Sequence, residues 1–80
     1  MRSVIILLDN IDKVRWFVNR INMYEGEFDI ISDRYIIDAK SIMGIFSLDL
    51  SKPLKLSIHS EDDFAKILEE FKDFIIDECS

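Results

Sequence analysis

Few side chains in this 80-residue sequence are equipped for bond-making chemistry. His59 is the sole histidine and Cys79 the sole cysteine. An imidazole can serve as a general base or a metal ligand, but a zinc site needs further histidines or cysteines at ligand spacing, and none occurs. His59 closes the alternating run Leu54-Lys55-Leu56-Ser57-Ile58-His59. That alternation sets it opposite Leu54, Leu56 and Ile58, facing solvent at a strand end. Cys79 follows Asp77 and Glu78, which disfavour a thiolate, and it reads as a tail residue. The clusters Glu61-Asp62-Asp63 and Asp77-Glu78 lack the ligand spacing and sharp-turn glycine of a calcium loop. They read as a solvated helix start and a charged tail. No glycine-rich phosphate cradle and no nucleophile elbow is present. The expectation is a protein that is not an enzyme and uses neither cofactor nor metal.

Two features remain unexplained by a bland surface. Trp16 lies about 200° around its helix from Val14, off the core stripe, where an outward tryptophan marks a partner surface. The segment Lys40-Ser41-Ile42-Met43-Gly44-Ile45-Phe46 is almost wholly apolar after its serine. A short helix has one side to bury, so some of Ile42, Met43 and Phe46 are expected to face outward.

The elements that would position these residues follow one another closely. Val4 to Leu8 is a continuous, β-branched-rich run, expected as a buried strand. Asp9-Asn10 stops it and can cap a helix from Ile11 to about Met23, whose core face is Ile11, Val14, Phe17, Val18 and Ile21. Gly26 supplies a turn. Phe28 to Ile31 and Tyr35 to Ile37 are short strands around Ser32-Asp33-Arg34. Ser41 caps a short helix from Ile42 to about Leu48. After Ser51-Lys52-Pro53, the run Leu54 to His59 is a strand wet on one face. Ser60-Glu61-Asp62-Asp63 resembles a capping box. It leads into a last helix with Phe64, Ile67, Leu68, Phe71, Phe74 and Ile75 on one side. The order is β-α-β-β-α-β-α, and single apolar stripes on three helices suit packing on one face of one sheet.

Composition narrows the partners. With 16 acidic against 10 basic side chains the net charge is −6. Phosphate backbones and anionic lipid repel such a domain, which excludes nucleic acid and membrane surfaces and favours basic protein surfaces. No segment approaches the roughly 20 apolar residues of a membrane span. A single cysteine forms no internal disulfide, which fits a reducing, cytoplasmic setting. At 49 % apolar residues with just 2 Gly and 1 Pro, the chain is one globular domain over residues 1–80.

The stretch Lys40-Ser41-Ile42-Met43-Gly44-Ile45-Phe46-Ser47-Leu48 closely resembles the regulatory-serine segment of HPr, the phosphocarrier of the bacterial sugar phosphotransferase system. Ile58-His59-Ser60-Glu61-Asp62-Asp63 is similar to that family's last strand running into its final helix. The resemblance covers nearly the whole chain. It implies an α+β open-faced β-sandwich, with a four-stranded antiparallel sheet in order 1-4-2-3 and three helices on one face. A βαββαβ ferredoxin-like effector-binding module, with sheet order 4-1-3-2, is the alternative from another class.

The same resemblance exposes a departure. The family's phosphoryl acceptor is the histidine of a G-x-H-A-R-P motif. Counting back from Ser41 without gaps sets Leu8-Asp9-Asn10-Ile11-Asp12-Lys13 on that motif. Asn10 then replaces the histidine, Asp12 the arginine and Lys13 the proline. An imidazole nitrogen is a nucleophile near neutral pH, whereas an amide nitrogen is delocalised into its carbonyl. Asp12 would also repel the negative charge spread over a transferring phosphoryl group. Ser41, in contrast, matches the serine that an ATP-dependent HPr kinase phosphorylates. Catabolite-repression HPr shows the same combination of missing histidine and retained serine, and it acts by binding a transcription regulator. The resemblance therefore implies a regulatory, protein-binding domain. Ser41 would be its phosphorylation site, Trp16, Ile42, Met43 and Phe46 its contact surface, and an HPr kinase, a transcription regulator or phosphotransferase components its partners. A genuine phosphocarrier with another acceptor is the alternative.

Overall fold

The computed structural model describes residues 2–33, 35–59 and 63–79, and of residues 78 and 79 the backbone alone. Strands β1 (Arg2–Ile6), β2 (Phe28–Ser32), β3 (Tyr35–Asp38), β4 (Leu54–Ile58) and β5 (Ile75–Cys79) form one sheet in the order β3-β2-β4-β1-β5. All of its pairings are antiparallel. Helices α1 (Ile11–Ile21), α2 (Ile42–Phe46) and α3 (Phe64–Glu70) connect them.

Register explains how the core gathers on one side. Val4 pairs with Leu56 and Ile6 with Leu54, while Phe28 and Ile30 pair with Ile58 and Leu56. Residues directly opposite point to the same face, so these seven side chains share one face, and all are buried. Val14, Phe17, Val18 and Ile21 of α1, Ile45 of α2 and Ile67 of α3 join them in one cluster. The three helices therefore pack against that face. The other face carries Ile5, Lys55, Ile31 and Ile36 across neighbouring strands, and a parallel row of Ser3, Ser57, Asp29 and Asp38.

The sheet differs from the expected four strands. The order 1-4-2-3 is present within it, but β5 is added beside β1. The periodicity through Phe74 and Ile75 was compatible with a long last helix; α3 instead ends at Glu70. Phe71 leaves helical geometry at φ −102° and ψ 13°. Ile75, expected on the helix face, pairs with Ile6, and Asp77 pairs with Ile5. The physical reason is backbone satisfaction: without β5 the outer edge of the apolar β1 would lack hydrogen-bond partners. Leu7 N–H donates to the Phe74 carbonyl at 2.9 Å, continuing the seam. Because β4 lies between β1 and β2, the ferredoxin-like order 4-1-3-2 does not occur.

The local turns follow the sequence. Gly26 takes φ 105° after α1, and Asp33 takes φ 49° at the tip between β2 and β3, a conformation that aspartate tolerates better than most residues. Arg34 and the Ser60-Glu61-Asp62 part of the expected capping box lie outside the described residues. Asp63, at the N-cap of α3, makes no side-chain cap bond. Ile11 was expected on the core face of α1 but is 57 % exposed. At the first helical position it lies beyond the end of the buried stripe that starts at Val14.

Candidate functional site

The start of α1 is built by its N-cap. Asn10 is extended at φ −151° and ψ 166°, and its Oδ1 accepts the Lys13 N–H at 2.8 Å. A side-chain oxygen in this position satisfies one of the orphan amides of the first turn. Lys13 Nζ bonds Asp9 Oδ1 at 2.8 Å, one turn back, and that hydrogen bond holds the Asp9 carboxyl below its ordinary range. Asp12 sits in the first turn. Asn10, Asp12 and Lys13, together with Trp16, Asp73 and Phe74, line an open cleft of about 440 Å³.

Trp16 belongs to this cleft. It was expected beside α2, but its ring packs on Phe71 at 5.5 Å and Phe74 at 5.3 Å, in the connection between α3 and β5. Arg20 lies 5.2 Å from the ring centroid on the next turn. The ring is nonetheless 36 % exposed. Its placement follows from β5, because the chain must turn through 71–74 to reach β1, and that turn brings two phenylalanines under α1.

The start of α2 uses the same cap with a different residue. Ser41 is extended at φ −96° and ψ 101°, and its Oγ accepts the Gly44 N–H at 3.2 Å. Ile45 is fully buried and anchors the helix; Met43 is 75 % exposed, Phe46 is partly exposed and Ile42 is half-buried against the core. A Cβ on Gly44 would come within 2.5 Å of Ile37 Cγ2, so the glycine allows α2 to lie this close to β3. Lys40 is fixed in place. Its ammonium bonds the Tyr24 carbonyl at 2.7 Å and lies over the Phe28 ring, and its N–H bonds Asp38 Oδ1. Ile42, Met43 and Phe46 thus lie with Ser41 on α2, while Trp16 shares its cleft with Asn10.

His59 follows β4 and is exposed, on the face away from the helices. Its Nε2 lies 2.9 Å from Asp29 Oδ2, a cross-strand neighbour that the alternation of β4 alone did not reveal. Among the described residues no group of three His, Cys, Asp or Glu side chains is arranged to hold a metal ion. No described helix is long and apolar enough to cross a membrane.

No family model matches the chain, and no curated protein does. Among solved structures, the crystal structure of HPr-C-His from Thermoanaerobacter tengcongensis superposes with a TM-score of 0.74. It is 26 % identical, with 91 % of this chain and 93 % of that chain covered. The architecture and this likeness agree with the resemblance carried by Lys40 to Leu48: the chain has an HPr-like α+β fold, one related to the sugar phosphotransferase system.

Proposed function

We propose that this HPr-like domain is a regulatory, partner-binding protein that does not carry phosphoryl groups, with Ser41 as its site of phosphorylation. The observation that carries the reading is the commitment of Asn10: its Oδ1 is occupied by the Lys13 N–H, and its amide nitrogen has no lone pair to offer a phosphoryl group. The carboxylates of Asp9 and Asp12 flank it where a transferring phosphate would need cations.

Ser41 is the opposite case. Its hydroxyl is a nucleophile once deprotonated by a kinase. A phosphate there would face the unpaired amides of the first turn of α2, in which no acidic residue stands. A helix of five residues has a small dipole, so the local amides matter more than the macrodipole. Lys40 would have to leave the Tyr24 carbonyl to pair with that phosphate. The added charge would fall next to exposed Met43 and Phe46 and alter which partner docks there.

Incubation with phosphoenolpyruvate and enzyme I should give no acid-labile phosphate. Incubation with ATP and an HPr kinase from the same host should give one stable phosphate, absent in Ser41→Ala. Acid-labile phosphate on the wild type would overturn the first part. No label at Ser41, with the host's ordinary HPr modified in parallel, would overturn the second.

A further inference from the structure

The cleft at the start of α1 has a composition that selects its occupant. Its apolar floor is Trp16 and Phe74, in contact at 5.3 Å. Its rim carries Asp12 and Asp73. The one cation of the lining, Lys13, is tied outside it to Asp9 at 2.8 Å, so the two lining carboxylates, Asp12 and Asp73, face one ammonium that is already paired. The indole already carries one cation of this chain, the Arg20 guanidinium 5.2 Å from its centroid, and the part of the ring that lines the cleft stays exposed. An exposed indole attracts guanidinium through its ring quadrupole, and adjacent carboxylates add hydrogen-bond acceptors in a planar fork.

We propose that this cleft receives an arginine side chain from a basic segment of a partner protein. The proposal rests on the reading of the domain as partner-binding, but not on phosphorylation of Ser41, which lies on another helix. Charge complementarity sets the choice of occupant. An acidic segment would meet the carboxylates of Asp12 and Asp73, and an aliphatic one would leave both desolvated without partners. Arginine is favoured over lysine because its flat, weakly hydrated head can stack on the indole while its donors reach the rim.

The test titrates the full chain with the peptide acetyl-Gly-Arg-Gly-Arg-Gly-amide, read by amide chemical shifts and by the emission of Trp16, the sole tryptophan. Lysine and glutamate versions of the peptide serve as comparisons. Saturable binding is expected, with shifts confined to residues 10–16 and 71–74. The arginine peptide should bind at least about threefold more tightly than the lysine one, the glutamate peptide should not bind, and affinity should fall as salt rises. Asp12→Asn with Asp73→Asn should weaken binding about tenfold or more, with an unchanged far-ultraviolet spectrum. Shifts spread over the acidic surface, equal binding of the glutamate peptide, binding unaffected by the double substitution, or no binding at low salt would each overturn the proposal. Because the phosphorylation assays read Ser41 and phosphoenolpyruvate transfer, failure of this cleft and failure of the regulatory reading are separable results.

Discussion

The starts of α1 and α2 solve one problem with one device and end in opposite electrostatic settings. In each, an extended N-cap residue offers a side-chain oxygen to the amide three positions on, from Asn10 to Lys13 and from Ser41 to Gly44. Around Asn10 stand Asp9, Asp12 and Asp73 with Lys13, which is paired to Asp9; the first turn of α2 holds no acid, Lys40 precedes the cap, and the Asp38 carboxylate accepts the Lys40 N–H. The difference teaches that a helix start is not by itself an anion site. Its neighbours decide, and the proposals of a cation beside Asn10 and of a phosphate at Ser41 both rest on that difference. The two helices also differ in anchorage, four buried residues in α1 against Ile45 alone in α2.

That difference in anchorage gives the largest expected effect. Ile45→Ala empties a fully buried site and should cost about 3 kcal/mol by chemical denaturation. Ile11→Ala, at a residue 57 % exposed, should stay within about 0.5 kcal/mol. Similar losses for both would mean that Ile11 is covered in solution and that the exposed start of α1 is misjudged.

Removing the caps comes next. Asn10→Ala and Ser41→Ala should each cost about 1 kcal/mol. Since α2 is held by one buried side chain, loss of its cap should also speed amide exchange at Gly44 and Ile45, without comparable change in α1. A cost near zero at Asn10 would remove the claim that its side chain is committed to capping.

Much of this was legible in residues. Asn10 and Ser41 were readable as caps because their type and the apolar period that follows mark helix starts. The hairpin of β2 with β3 was legible in the turn residues between them, whereas the pairing of β1 with β4 came through the resemblance, since it joins strands that no local pattern connects. The tail was misjudged because Phe71, Phe74 and Ile75 satisfy a helical period as well as a turn and a strand; what decided it was the free edge of β1, where Ile75 pairs with Ile6, about seventy positions away in the chain. The packing partners of Trp16 were hidden for the same reason. Its outward angle was right, but the aromatic surface it meets exists only once β5 folds back. The Asp29–His59 contact likewise joins strands whose register the sequence does not display.

Charge at the caps sharpens the contrast at a smaller scale. Asn10→Asp keeps an acceptor oxygen but adds a fourth carboxylate beside Asp9, Asp12 and Asp73, so any gain at the helix start should be cancelled by repulsion. Ser41→Asp keeps an acceptor oxygen, meets no acid in the first turn and should stabilise by a few tenths of a kcal/mol relative to the wild-type serine, a gain that 1 M salt removes. Equal effects at both positions in low salt would show that the neighbouring charges do not distinguish the two sites.

The smallest effect separates two carboxylates held down by different partners. Asp9 owes its lowered pKa chiefly to the Lys13 hydrogen bond, opposed by slight desolvation. Asp49, just beyond α2, owes its lowered pKa chiefly to the Ser51 hydroxyl at 2.6 Å and then to the Ser51 N–H at 3.1 Å. For both, the folded value lies below the ordinary 3.8. Each therefore contributes stability that is present above that value and is lost as pH falls through the folded one. Both are fully exposed, so the contribution to stability is slight, and the direct measurement is a carbon NMR titration of the two carboxyl groups. Lys13→Met should return Asp9 toward 3.8 and leave Asp49 unmoved, and Ser51→Ala should do the reverse. Salt at 1 M should raise Asp9 more than Asp49, because an ammonium is screened and a hydroxyl dipole is not. If salt moved Asp49 as far as Asp9, the bond to Ser51 would not be what holds it down, and Lys52, 4.0 Å away, would take its place.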